Sequence, residues 1–105
     1  MLEISRLEKH WFLDIDGELF INAAPELKQV LVDWSDSGRD LYLDLERAEA
    51  IDIAALQLFR AANCRAADAG VAFVSRVSEA VATIARDAGF DPFPGAGAPG
   101  AVWPK

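Results

Sequence analysis

Two short runs open the chain with apolar and polar residues in alternation: Leu2 and Ile4, then Trp11, Leu13 and Ile15, with Glu8, Lys9 and His10 between them. A period of two is the mark of a half-buried strand, so residues 2–7 and 11–16 read as a strand, a turn and a strand. After Gly17 the period changes. From about Ala23 the apolar residues Leu27, Val30, Leu31 and Trp34 recur three and four apart, which is one buried stripe on a helix, with Pro25 tolerated in its first turn. A polar turn from Ser35 to Arg39 follows. Alternation then returns at Leu41, Leu43 and Leu45 and predicts a third strand.

A second helix is expected from near Asp52 to Ala69, with Ala55, Phe59, Ala62 and Ala66 on its inner face and Gly70 as the C-terminal stop. Val71 to Ser75 is apolar on both faces, the composition of a central strand covered on each side. Ser78 is placed to cap a third helix that turns Val81, Ile84, Ala85 and Ala88 inward and ends at Gly89. The expected order is ββαβαβα: an α/β fold with a mixed four-stranded β-sheet and three α-helices, in which the helices cross between parallel strands. Residues 1–90 form the domain in this reading. From Asp91 to Lys105, seven of fifteen residues are Pro or Gly, so 91–105 reads as a flexible tail.

Composition narrows the function. The chain has 105 residues, 52% of them hydrophobic, enough for a single core and too few for two. Its apolar runs stop well short of the ~20 residues a membrane-spanning helix needs, and the start has no signal pattern, so a cytoplasmic protein without direct membrane insertion is expected. The net charge is -7, and 13 of the 17 acidic residues fall within residues 1–52, which disfavours nucleic acid as a partner.

Candidate chemistry is sparse. Cys64 is the single cysteine, falls in an alanine-rich helix without a nucleophile motif around it, and is expected to be a core or helix-packing residue. His10 is the single histidine and reads as a turn residue. Asp44, Glu46 and Asp52 could form an acidic cluster for a magnesium ion or a basic partner, but solvated strand ends for the first two and a helix N-cap for Asp52 are the simpler reading. Asp14 and Asp16 are expected to face solvent. No catalytic residue, metal site or cofactor is predicted, and Trp103 is either a docking anchor or an ordinary tail residue.

Most informative is the segment from Leu43 to Leu58. Asp44, Leu45, Ile51, Asp52, Leu56 and Leu58 match the pattern D-L-S-x-V-x-x-I-D-S-x-G-L-x-L-L, and the segment resembles the STAS domain of bacterial anti-sigma factor antagonists. Asp16-Gly17-Glu18-Leu19 resembles that family's G-E-L-D. Ser78 to Val81 and Ala88-Gly89-Phe90 resemble its closing S-x-x-V and A-G-F/L, and the likeness covers roughly residues 2–91. Gly17 to Leu27 is also similar to a form found in STAS proteins of chemotaxis clusters, which implies a chemotaxis-linked adaptor as one version of the function.

The resemblance implies a protein-binding module of bacterial signal transduction and not an enzyme. In the antagonists, the serine after the matched aspartate is phosphorylated by a kinase that is also the anti-sigma factor, and the complex then breaks. A phosphate there would meet free N–H groups at a helix start while adding negative charge to a docking surface. Here Ile53 stands in that position, Ala54 follows, Ala55 replaces the usual glycine, and Phe20 stands where a polar residue is common. Phe20, Asn22, Arg47, Asp52, Ile53, Ala54, Leu56 and Gln57 are therefore the expected partner-binding residues.

Two accounts of the apolar residues stay open: an exposed contact patch, or side chains turned inward to fill the space of a lost switch. The expected partner is an anti-sigma factor, a histidine kinase-like protein or a chemotaxis component, with the chain a monomer or weak homodimer. The alternatives are the STAS subunit of a phospholipid-transporting ABC complex, which would contact its ATPase, and, ranked lower, a small nucleotide-binding protein or enzyme.

Overall fold

A computed structural model describes residues 2–19, 24–96 and 103. The opening hairpin pairs β1 (Leu2–Arg6) with β2 (His10–Ile15), antiparallel, with Ile4 opposite Leu13. A three-residue strand, β3 (Gly17–Leu19), precedes α1 (Ala24–Ser35). β4 (Asp40–Leu45), β5 (Ala48–Ile51), α2 (Ile53–Ala69), β6 (Phe73–Val77) and α3 (Glu79–Asp87) complete the order. The main sheet runs β1-β2-β4-β6 and is mixed, with β2, β4 and β6 parallel. Parallel neighbours need crossovers, and α1 and α2 supply them. No helix among the described residues is long and apolar enough to cross a membrane.

Alternation along the strands decides which face is buried. Trp11, Leu13 and Ile15 of β2 and Leu41, Leu43 and Leu45 of β4 point one way and are buried. The helices meet this inner face with Leu27, Val30, Leu31 and Trp34 of α1, Leu56 and Phe59 of α2, and Val81 and Ala85 of α3. Leu13, Leu41, Leu43, Leu45, Leu56, Phe59 and Val81 have no exposed surface at all. The small residues Ala55, Ala62 and Ala66 line the buried stripe of α2 and let that helix sit close. α2 ends where Gly70 turns into the left-handed region at φ 72° and its N–H reaches the carbonyls of Ala66 and Ala67.

The structure departs from the sequence reading in several places. β3 and β5 pair in parallel as a separate two-stranded sheet, with Leu19 opposite Ile51. The strand expected at Val71–Ser75 is Phe73–Val77, and it is the edge strand of the sheet, not a central one; β4 holds the centre beside it. Ala88, expected inward, is exposed because α3 finishes at Asp87 and Ala88 is its C-cap.

The packed chain also runs past residue 90. Phe93 is buried against the ring of Phe59, and Ser75 donates through Oγ to the Pro94 carbonyl at 2.7 Å and through its N–H to the Gly95 carbonyl at 3.2 Å. Gly95 passes so close to Phe73 that a Cβ there would lie 2.5 Å from the ring, and its φ of +83° disfavours any side chain. Two segments thus become part of the domain wall: the edge strand β6 and the chain from Phe93 to Ala96 that covers it.

Candidate functional site

The first turn of α2 is fixed from three sides. Asp52 accepts a hydrogen bond from the Ala55 N–H at 3.1 Å and so caps the helix, while its own backbone N–H donates to the Leu19 carbonyl at 3.1 Å. Ile51, just before the cap, is buried opposite Leu19. Ser78, at the start of α3, caps that helix through the Val81 N–H and donates to the Ala48 carbonyl at 2.8 Å. The small β3–β5 sheet therefore holds the beginning of α2 and the beginning of α3 in fixed relation.

On this frame Ile53, the first residue of α2, points outward with 55% of its surface exposed. A large aliphatic side chain in water at the end of a helix contributes nothing to the core, and its hydration is unfavourable. Leu56, one turn further on, is wholly buried. The two open accounts therefore divide between the two residues. Leu56 fills the interior and cannot touch a partner, which corrects its place among the contact residues; Ile53 is surface.

Ala54 and Gln57 line a shallow apolar groove with Leu58 of α2 and Ala24, Pro25 and Lys28 of α1. Leu58 and Lys28 belong also to the next stretch of the same α1–α2 seam, where Leu31, Val32 and Ala61 continue it. Arg47 lies exposed in the turn before β5, and its guanidinium donates to Asp14 at 3.0 Å. That hydrogen bond raises the pKa of Arg47 above its ordinary value.

Phe20 and Asn22 lie outside the described residues. Of the expected contact residues, Asp52, Ile53, Ala54 and Gln57 come together at one end of α2, whereas Arg47 is engaged with β2. The groove residues of α1 were missed by sequence reasoning. Their one signal is that Leu58 breaks the inner stripe of α2 by standing four residues after Ala54 on a different side.

The acidic cluster that Asp44, Glu46 and Asp52 could have formed is not assembled, and Asp52 takes its simpler role as a cap. Asp44 and Glu46 both face Arg76, at 3.1 and 3.2 Å, while Asp52 is occupied as a cap. His10 is the first residue of β2 and not a turn residue, lying against Phe12 and Tyr42, and Cys64 is exposed on α2 and not packed inside, because it falls off the Ala62–Ala66 stripe. Among the described residues no group of three or more His, Cys, Asp or Glu is arranged to hold a metal ion.

A family model described as "Mlab, STAS domain" matches residues 3–94 of the chain. The chain belongs to the STAS domain family. Solved structures share its fold at low identity. The unphosphorylated form of the anti-sigma factor antagonist SpoIIAA superposes with a TM-score of 0.76 at 13% identity, covering 94% of this STAS domain and 90% of that chain. An anti-sigma factor antagonist from Mycobacterium paratuberculosis gives 0.72 at 18% identity, covering 91% and 83%. Mglu matches at 23% identity and a TM-score of 0.64 over 75% of this chain, which spans 20% of Mglu. No curated protein matches the chain.

Proposed function

We propose that this STAS domain is a non-enzymatic protein-binding module of bacterial signal transduction that works in the cytoplasm and docks its partner through the first turn of α2 and the adjoining α1–α2 groove. The observation that carries the reading is Ile53, 55% exposed on a helix start that Asp52 and the β3–β5 sheet hold rigid. An exposed aliphatic residue on a rigid frame is suited to become the buried centre of an interface, with Gln57 and Asp52 at its rim. SpoIIAA, the antagonist that shares this fold, is described in an unphosphorylated form. Ile53 has no hydroxyl, so the module has no phosphorylation off-switch at this position.

The partner in this reading is an anti-sigma factor or histidine kinase-like protein, with a chemotaxis component as the adaptor version. The domain acts as a monomer or weak homodimer. Ile53→Asp is the decisive variant. Because Ile53 is outside the core, the melting temperature should stay within a degree or two, while affinity for the partner, measured by titration calorimetry, should fall at least tenfold. Unchanged affinity in the folded variant would move the docking surface elsewhere. A second reading, the STAS subunit of a phospholipid-transporting ABC complex, is favoured by a family description that names Mlab and no anti-sigma factor. Capture of an ABC ATPase, in place of a kinase, by the wild-type chain would select it.

A further inference from the structure

The side of the sheet turned away from the helices has its own organisation. The register sets Phe12 beside Tyr42 and Tyr42 beside Val74, and one row further on it sets Asp14 beside Asp44 and Asp44 beside Arg76. None of these residues belongs to the buried core. His10 meets Phe12 edge-on at 5.0 Å and Tyr42 edge-on at 5.4 Å, and the Phe12 and Tyr42 rings are 5.7 Å apart. A solvated sheet face more often carries isolated polar side chains; here it carries a cluster of rings.

That cluster receives Trp103. Its ring lies 6.0 Å from Phe12 and 5.5 Å from Tyr42, edge-on to the latter, and the Arg76 guanidinium sits over it at 4.2 Å from the ring centre. Arg76 is held independently of the indole, by a hydrogen bond from Nη2 to Asp44 and by an ion pair with the exposed Glu46 in which the buried Nε makes no hydrogen bond. A guanidinium already held in place loses little freedom when a ring slides beneath it, which is the property of a preorganised site. The fit to Trp103 is nevertheless incomplete. The indole Nε1 is buried and finds no acceptor among the described residues, and an unmatched buried N–H weakens the seat.

We propose that Phe12, Tyr42 and Arg76 form a second binding site, for an aromatic side chain presented by a peptide segment of a partner protein, and that Trp103 occupies it as a competing ligand within the same chain. The site is separate from the first turn of α2 and does not rest on the function proposed for that turn. A ring without an N–H, or one whose N–H brings its own acceptor, avoids the unmatched donor and displaces Trp103. Tethering sets the competition, because a ligand on the same chain acts at an effective concentration on the order of millimolar.

The test uses the full-length chain and a fluorescent peptide with the sequence of residues 99–105 as the probe. Trp103→Ala, with its circular dichroism unchanged, should bind the peptide saturably, and the wild type should bind it at least about tenfold more weakly because its own ring competes. Adding Arg76→Ala to Trp103→Ala should abolish binding. No saturable binding to Trp103→Ala, or equal binding to that variant and the wild type, overturns the proposal. Proton NMR gives a reading that needs no destabilising change. The Trp103 Nε1–H resonance, assigned by its loss in Trp103→Phe, should lie away from the random-coil position in the wild type and return to it in Arg76→Ala. A random-coil position already present in the wild type would also overturn the site.

Discussion

The two faces of strand β4 lie one residue apart in the sequence and do different work. Leu41, Leu43 and Leu45 point inward, are fully buried, and belong to one core cluster with aliphatic and aromatic side chains of the helices. Tyr42 and Asp44 point outward and meet particular neighbours: the rings of His10, Phe12 and Trp103, and the guanidinium of Arg76. Burial on the inner face is non-directional and scales with area, so it supplies stability without demanding one geometry. The outer contacts depend on ring angle and charge placement, so they supply specificity for a modest gain in stability. One strand thus separates the two tasks by the simple period of its side chains.

The separation can be broken by measurement. Leu43→Ala removes fully buried carbons from the inner face and should cost about 2–5 kcal/mol in urea unfolding, a large part of a small domain's stability. Gly95→Ala should cost about 1–3 kcal/mol, because its Cβ would press on the inward-facing Phe73 ring from a left-handed backbone; a neutral result would mean that the chain after Phe93 is no part of the inner wall. Tyr42→Ala, one residue from Leu43 on the other face, should lose only about 0.5–1.5 kcal/mol from its ring pairs. A loss equal to that of Leu43→Ala would erase the distinction between the faces. Smallest is Arg47→Ala, which breaks the exposed ion pair with Asp14 and should leave the melting temperature unchanged at physiological salt.

Much of this was legible in the chain. The stripes of α1 and α2, the alternation of β2 and β4, the cap at Asp52 and the stop at Gly70 are local patterns, and local patterns fix local structure. The pairing of β3 with β5 was not legible. Gly17–Leu19 is too short to show a period, Ala48–Ile51 is half alanine, and their association depends on bringing together segments about thirty residues apart. The run from Val71 to Ser75 reads as a central strand because it is apolar on both faces. Phe73 faces the core while Val74 joins the outer ring-bearing face, so apolar residues on both sides arise here at an edge.

At the candidate site, the sequence pointed to the right helix end but could not say which apolar side chains face out. Ile53 and Leu56 look equivalent in composition and, three apart, share a side of the helix; Ile53 is surface because it stands at the first position, at the helix end, while Leu56, one turn in, is wholly buried. The groove partners from α1 depend on helix packing that no local pattern specifies. Trp103 was open between anchor and tail residue because its neighbours on the sheet, Phe12 and Tyr42, lie more than sixty residues away in the chain.

The bonds from Ser75 to the carbonyls of Pro94 and Gly95 have a further consequence for how the protein keeps to itself. An exposed sheet edge is a template on which another chain can polymerise. At β6 that template is interrupted at its midpoint, because the chain turns back and the Gly95 carbonyl takes the Ser75 N–H, with the Ser75 hydroxyl holding Pro94 beside it. Growth of the sheet by strand addition is then directed to β1, whose Glu3 and Arg6 place charge along the way. A chain cut after Phe90 would uncover the β6 edge and strip Phe59 of the Phe93 ring, and its hazard would be fibrous aggregation more than unfolding.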